Sequence, residues 1–171
     1  MTSYTLDTCA LIYIYEHPNV GGLVACRCDS SKSNFYICSM NRIELERKGY
    51  DFYDVVIRVQ QNIGSKIIVE DITPGIVDNA KILSCGCKDL HKGDREILSF
   101  AISKHSILVT SDKGLLKCCK KIGAKTVNLN GLATNYTKRP RAFYGRVSRY
   151  AKGITKERLW GHCIPVEGEI T

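Results

Sequence analysis

Short apolar runs alternate with longer amphipathic segments along most of this chain. Runs at Tyr4 to Leu6, Phe35 to Cys38, Ile67 to Val69, Ile107 to Val109 and Thr126 to Leu129 have few polar interruptions. That is the pattern of strands covered on both faces. Between them the apolar period becomes helical. In DREILSFAISK, Ile97, Leu98, Ala101 and Ile102 share one helix face. Thr73 and Pro74 suit the N-cap and first position of a helix striped by Ile76, Val77, Ala80 and Leu83. Lys113 to Lys121 predicts a short basic helix that Gly123 ends. RIELERKGYDFYDVVIRVQQNIG predicts two helices broken near Gly49, the second carrying Phe52, Val55, Val56 and Val59. Residues 19 to 34, with Gly21, Gly22 and SSKSN, predict a loop or irregular helical region.

Strands alternating with helices predict an α/β domain of three layers, with helices on both faces of a parallel sheet and right-handed crossovers. This domain occupies residues 1 to 129, and residues 130 to 171 form a basic, aromatic C-terminal extension. The chain's 171 residues are enough to bury a core without staples. There is no basic leader followed by an apolar stretch and no apolar run near the roughly 18 residues of a membrane span, so a soluble cytoplasmic protein is expected.

Charge changes the picture. The formal net charge is +8, which points to an anionic partner. From residue 130 onward, eight Lys and Arg stand against Glu157, Glu167 and Glu169, so +5 of the excess lies in the extension. There Lys138, Arg139, Arg141, Arg146 and Arg149 interleave with Tyr144 and Tyr150. Cations suit phosphates and rings suit unstacked bases, which makes this set the candidate RNA-binding surface. The plainer reading is a solvated basic arm whose aromatics dock it on the domain.

Four acids stand out by position. In an open parallel sheet, ligands bind beyond the carboxyl ends of the strands. Asp7 and Asp112 each follow a strand-like run, Asp94 opens the helix before the strand that leads to Asp112, and Glu44 lies in the first turns of the helix after Phe35 to Cys38. Singly, Asp7, Asp94 and Asp112 read as helix N-caps, and Glu44 as a surface residue among Arg42, Glu46, Arg47 and Lys48. Together they define one edge of one sheet. Clustered carboxylates repel unless a cation neutralises them, and Mg²⁺ or Mn²⁺ suits such oxygen ligands and phosphate substrates. A metal-activated water beside a phosphodiester predicts hydrolysis of nucleic acid.

The set LDTCAL, SMNRIELERKG, GDREILSFA and LVTSDKGL resembles the PIN domain, a nuclease fold that includes the VapC toxins and ribosomal-RNA-processing nucleases. The resemblance covers about residues 3 to 129. It implies a five-stranded parallel sheet and an acidic pocket of Asp7, Glu44, Asp94 and Asp112, with Asp7, Asp94 and Asp112 on the metal and Thr8 and Thr110 as polar neighbours. Some members carry a further acid where this chain has Ser111. GDREILSFA is closer to the processing style of its motif than to the toxin style. The implied partners are RNA, an antitoxin or ribonucleoprotein, and a second copy of the chain. The implied activity is a metal-dependent endoribonuclease; the alternative on the same fold is an RNA-binding or assembly module with little catalysis.

Nine cysteines, an odd number, do not suit a fully paired secreted framework. Cys9, Cys38, Cys118 and Cys119 sit in apolar patterns, where reduced thiols pack as small hydrophobes. Convergence of Cys26, Cys28, Cys85 and Cys87 on zinc is a third, regulatory reading, although C-x-C spacing is not the usual one. His17, His91 and His105 have no partner spacing that suggests chemistry, and Trp160, His162 and Cys163 read as a packing anchor.

Overall fold

The computed structural model describes residues 1–138. The chain order is β1 (Thr2–Leu6), α1 (Thr8–Glu16), α2 (Pro18–Cys28), β2 (Ser33–Cys38), α3 (Ser39–Arg47), α4 (Phe52–Ile63), β3 (Ile67–Glu70), α5 (Pro74–Gly86), α6 (Lys92–Ser103), β4 (Ile107–Thr110), α7 (Lys113–Ile122), β5 (Thr126–Asn128) and α8 (Leu129–Lys138). All pairings in the sheet are parallel, in the order β3-β2-β1-β4-β5. The three-layer α/β arrangement with a five-stranded parallel sheet is therefore present as expected.

Each face of the sheet has its own core. Ala10, Leu11, Ile14, Val24, Val55 and Val59 pack with Phe35, Ile37 and Val109 on one side. Ile76, Ile97, Leu98, Phe100 and Leu115 pack with Leu108 on the other. Phe35 and Phe100 are fully buried, and each such ring removes enough apolar surface from water to contribute about 2–3 kcal/mol. The topology reverses at β1, which pairs with β2 on one side and β4 on the other. That reversal opens a crevice at the carboxyl ends of β1 and β4. Leu6 is in register with Val109, and the Asp7 amide donates to the Val109 carbonyl at 3.0 Å, so the residues after the two strands begin side by side.

Three features differ from expectation. Residues 18–28 form a regular helix, α2, where a loop or irregular helical region was expected over residues 19 to 34. Val20, Leu23 and Val24 point inward, and Gly21 lies so close to α4 that an added Cβ would be 2.5 Å from Asn62 Cβ. The glycine marks close helix packing, not a turn; irregular backbone is confined to Asp29, at φ 48°, and a short 3₁₀ turn after it. The last strand ends at Asn128, whose Oδ1 accepts from the amides of Asn130 and Gly131 and starts α8. Leu129 is buried and Leu132 packs on the first core. Finally, Cys87 and Cys118 are joined in a disulfide between the end of α5 and α7, where reduced thiols were expected. Their separation of 31 residues conceals the pairing in the sequence. Cys28 and Cys87, two of the four thiols that the alternative zinc reading would bring together, lie in different cores. No helix among the described residues is long and apolar enough to cross a membrane.

Candidate metal centre

Asp7 follows β1 at the N-cap position of α1, but its side chain makes no capping hydrogen bond. It is 1% exposed. Its Oδ2 accepts from Thr110 Oγ1 at 2.7 Å, while its Oδ1 is buried without a hydrogen-bond partner. The Thr110 hydroxyl also accepts from the Asp112 amide at 2.9 Å. Thr110 thus fixes the first acid and the backbone of the last.

Glu44 is placed by a residue that the sequence analysis missed. Asn41, fully buried, accepts the Cys38 amide at Oδ1 (2.8 Å) and donates from Nδ2 to the Leu6 carbonyl (3.1 Å) and to Thr8 Oγ1 (3.2 Å). It ties the ends of β1 and β2 to the starts of α1 and α3, and Glu44 follows three positions later, on the same helix face. The available signal was an amide side chain three residues after a strand end, in the N3 position of a capping box. Gly93 then makes room for the carboxylate: a Cβ there would overlap Glu44 Oε1 and lie 3.1 Å from Glu44 Cδ.

Asp94 sits in the first turn of α6, whose N-cap is His91, so Asp94 is not a cap. Asp112 is one: its Oδ1 accepts from the Leu115 amide at 2.7 Å. Capping therefore accounts for Asp112 and fails for Asp7 and Asp94.

One oxygen from each of Asp7, Glu44 and Asp94 lies within 4.8 Å of the others. Asp112 stands next to this triad rather than in it, near enough for its charge to act on Asp94. Burial, with the charges of Asp94 and Glu44 added and the Thr110 hydrogen bond opposing, pushes the Asp7 carboxyl up to about 7. Burial, then the charges of Glu44 and Asp112, also raises Asp94. An unpartnered buried carboxylate oxygen beside two more carboxylates is a donor set for a hard divalent cation, so the residues fit the metal that the resemblance implies.

Of the other expected site residues, Thr8 is buried against Asn41, and Ser111 is half-buried with its carbonyl accepting from Asn130 Nδ2. In the RNA-binding set, Lys138 ends α8. Arg139, Arg141, Tyr144, Arg146, Arg149 and Tyr150 lie outside the described residues.

Among solved structures, the VapBC2 complex from Rickettsia felis bound to a promoter DNA fragment matches with a TM-score of 0.53 at 19% identity, over 74% of this chain and 98% of that one. DNA-bound VapBC from Salmonella typhimurium matches with a TM-score of 0.54 at 14% identity, over 75% and 99%. No protein-family model and no curated protein sequence matches the chain. The fold is that of the PIN domain.

Proposed function

We propose that the protein is an endoribonuclease that hydrolyses RNA phosphodiester bonds with Mg²⁺ or Mn²⁺. The observation that carries this reading is the buried, unpartnered Oδ1 of Asp7 in a triad whose oxygens lie within 4.8 Å of one another. When bound, a divalent cation lowers the pKa of its water and offsets charge on the phosphate. Asp7, Glu44 and Asp94 would hold it; Glu44 is preferred here to Asp112 because a backbone amide already engages Asp112 Oδ1. Asp112 orients the attacking water with its other oxygen. Thr110 keeps Asp7 aimed into the pocket.

A toxin role with an antitoxin partner is supported by the VapBC complexes that share the fold. A processing role in a ribonucleoprotein is favoured by GDREILSFA. Ser111 in place of an acid, with Asp112 committed to capping, favours the second reading of an RNA-binding module with weak catalysis. Incubating end-labelled single-stranded and structured RNAs with Mg²⁺, Mn²⁺ or EDTA decides between them. Internal cuts that need the metal support the nuclease; binding without cuts under every condition supports the module.

A further inference from the structure

Helix α7 carries charge unlike any other helix described. Lys113, Lys117, Lys120 and Lys121 are all exposed, and their spacing gathers them within about 100° of helix arc, opposite Leu115, Cys118 and Cys119. Residues 113–138 contain six lysines and no acid. Four cations on other helices are matched by an acid on the same helix: Arg42 with Glu46, Arg58 with Asp54, Lys81 with Asp78 and Lys92 with Glu96. Among the described residues, none of the four α7 lysines is in an ion pair, and Lys121 alone has a hydrogen bond, to the Gly86 carbonyl.

Helix stability does not explain the row. Lysines in a last turn complement the helix dipole, which covers Lys120 and Lys121. Lys113 is the first residue of α7, where a cation opposes the dipole, and Lys117 is in mid-helix. The row starts directly after Asp112, at the rim of the acidic centre. Its length from Lys113 to Lys121 is about 12 Å, the run of roughly three or four phosphates on a stacked strand.

We propose that the lysine ridge of α7 is a track for the phosphate backbone of single-stranded RNA, holding the strand on the side leading away from the acidic centre. This rests on the nuclease reading for the identity of the strand. Lys113, Lys117 and Lys120 are positioning residues: they fix where the strand enters and take no part in bond breaking.

The test uses the full chain and a labelled 20-nucleotide RNA in EDTA, with binding followed by fluorescence anisotropy between 50 and 300 mM salt. The variant Lys113→Gln/Lys117→Gln/Lys120→Gln is expected to bind roughly tenfold or more weakly at low salt and to lose about two from the log–log salt slope, at about 0.7 per phosphate contact. Lys117→Gln alone is expected to lose about 0.7. A control of equal charge loss, Lys32→Gln/Lys66→Gln/Lys81→Gln, is expected to keep the wild-type slope. The proposal is overturned by a ridge variant with wild-type slope and affinity, by a control that loses as much, by wild type that does not bind RNA, or by loss of polyglutamate binding with RNA binding retained. With metal added, RNA bound through the ridge but never cut would sink the nuclease reading and leave the ridge standing. Cutting with KM unchanged in the ridge variant would do the reverse; the ridge predicts raised KM at unchanged kcat.

Discussion

Gly93 abuts the carboxylate of Glu44 so closely that a methyl group at Gly93 would occupy the space of Glu44 Oε1. The two residues belong to different helices, and the contact brings one wall of the acidic centre against another. Gly93→Ala should displace the flexible end of Glu44 while leaving the backbone of α6 intact. Unfolding free energy is expected to stay level or rise by up to about 1 kcal/mol, since Ala is the better helix former. Mn²⁺ affinity, read by calorimetry, is expected to fall roughly tenfold or more. A variant with lowered stability and unchanged affinity would show that Glu44 is not held by this contact.

The raised Asp7 carboxyl makes stability depend on pH with a definite sign. Between about pH 4 and its folded value of about 7, the metal-free folded state keeps a proton that the unfolded chain has lost. Stability therefore falls as pH rises through that window, by about 4 kcal/mol in all, and levels off above it. Asp7→Asn, which has no such proton to lose, should melt higher than wild type at pH 8 without metal and should no longer be stabilised by Mn²⁺. Wild-type stabilisation by Mn²⁺ should grow from pH 5 to pH 8. Melting curves at three pH values check all of this, and a flat pH response in the metal-free protein would contradict it.

Asn41 makes four hydrogen bonds, to Cys38, Leu6 and Thr8, in a site closed to water. Asn41→Ala leaves the Cys38 amide and the Leu6 carbonyl without their partner, at an expected loss of about 2–4 kcal/mol. Denaturant unfolding measures it. Mn²⁺ affinity should fall as well, because Asn41 sets the start of the helix that carries Glu44.

The Cys87–Cys118 bond closes a 31-residue separation that includes all of α6. Closing a loop of this length stabilises by about 3–4 kcal/mol in a chain-entropy account. Reduction by a dithiol should lower the melting temperature, and two thiols should become alkylatable in denatured protein only after reduction. Full alkylation without reductant would show that the bond does not form in solution.

The sheet was legible because each strand is covered on both faces, so its apolar run is almost unbroken: Phe35 to Cys38 and Ile107 to Val109 locate β2 and β4 to within two residues. The acids were legible through topology, since a residue just beyond a strand of a parallel sheet is at the ligand edge whatever else it does. The gathering of Asp7, Glu44 and Asp94 follows from that, and the exclusion of Asp112 from the triad does not. Asp112 instead caps α7 through the Leu115 amide, a local arrangement that spacing cannot reveal. Helix α2 was hidden because glycine signals a turn and close packing alike. Asn41 was hidden because its three partners come from β1, α1 and β2, which only the folded chain brings together.

Single-turnover cleavage of RNA under saturating Mn²⁺, comparing wild type with Asp7→Asn and Asp94→Asn, bears most directly on the metal-dependent nuclease reading. Metal-dependent internal cuts by wild type, reduced at least a hundredfold in both variants whose melting curves remain cooperative, are expected. Cleavage that persists at the wild-type rate in both variants would contradict it.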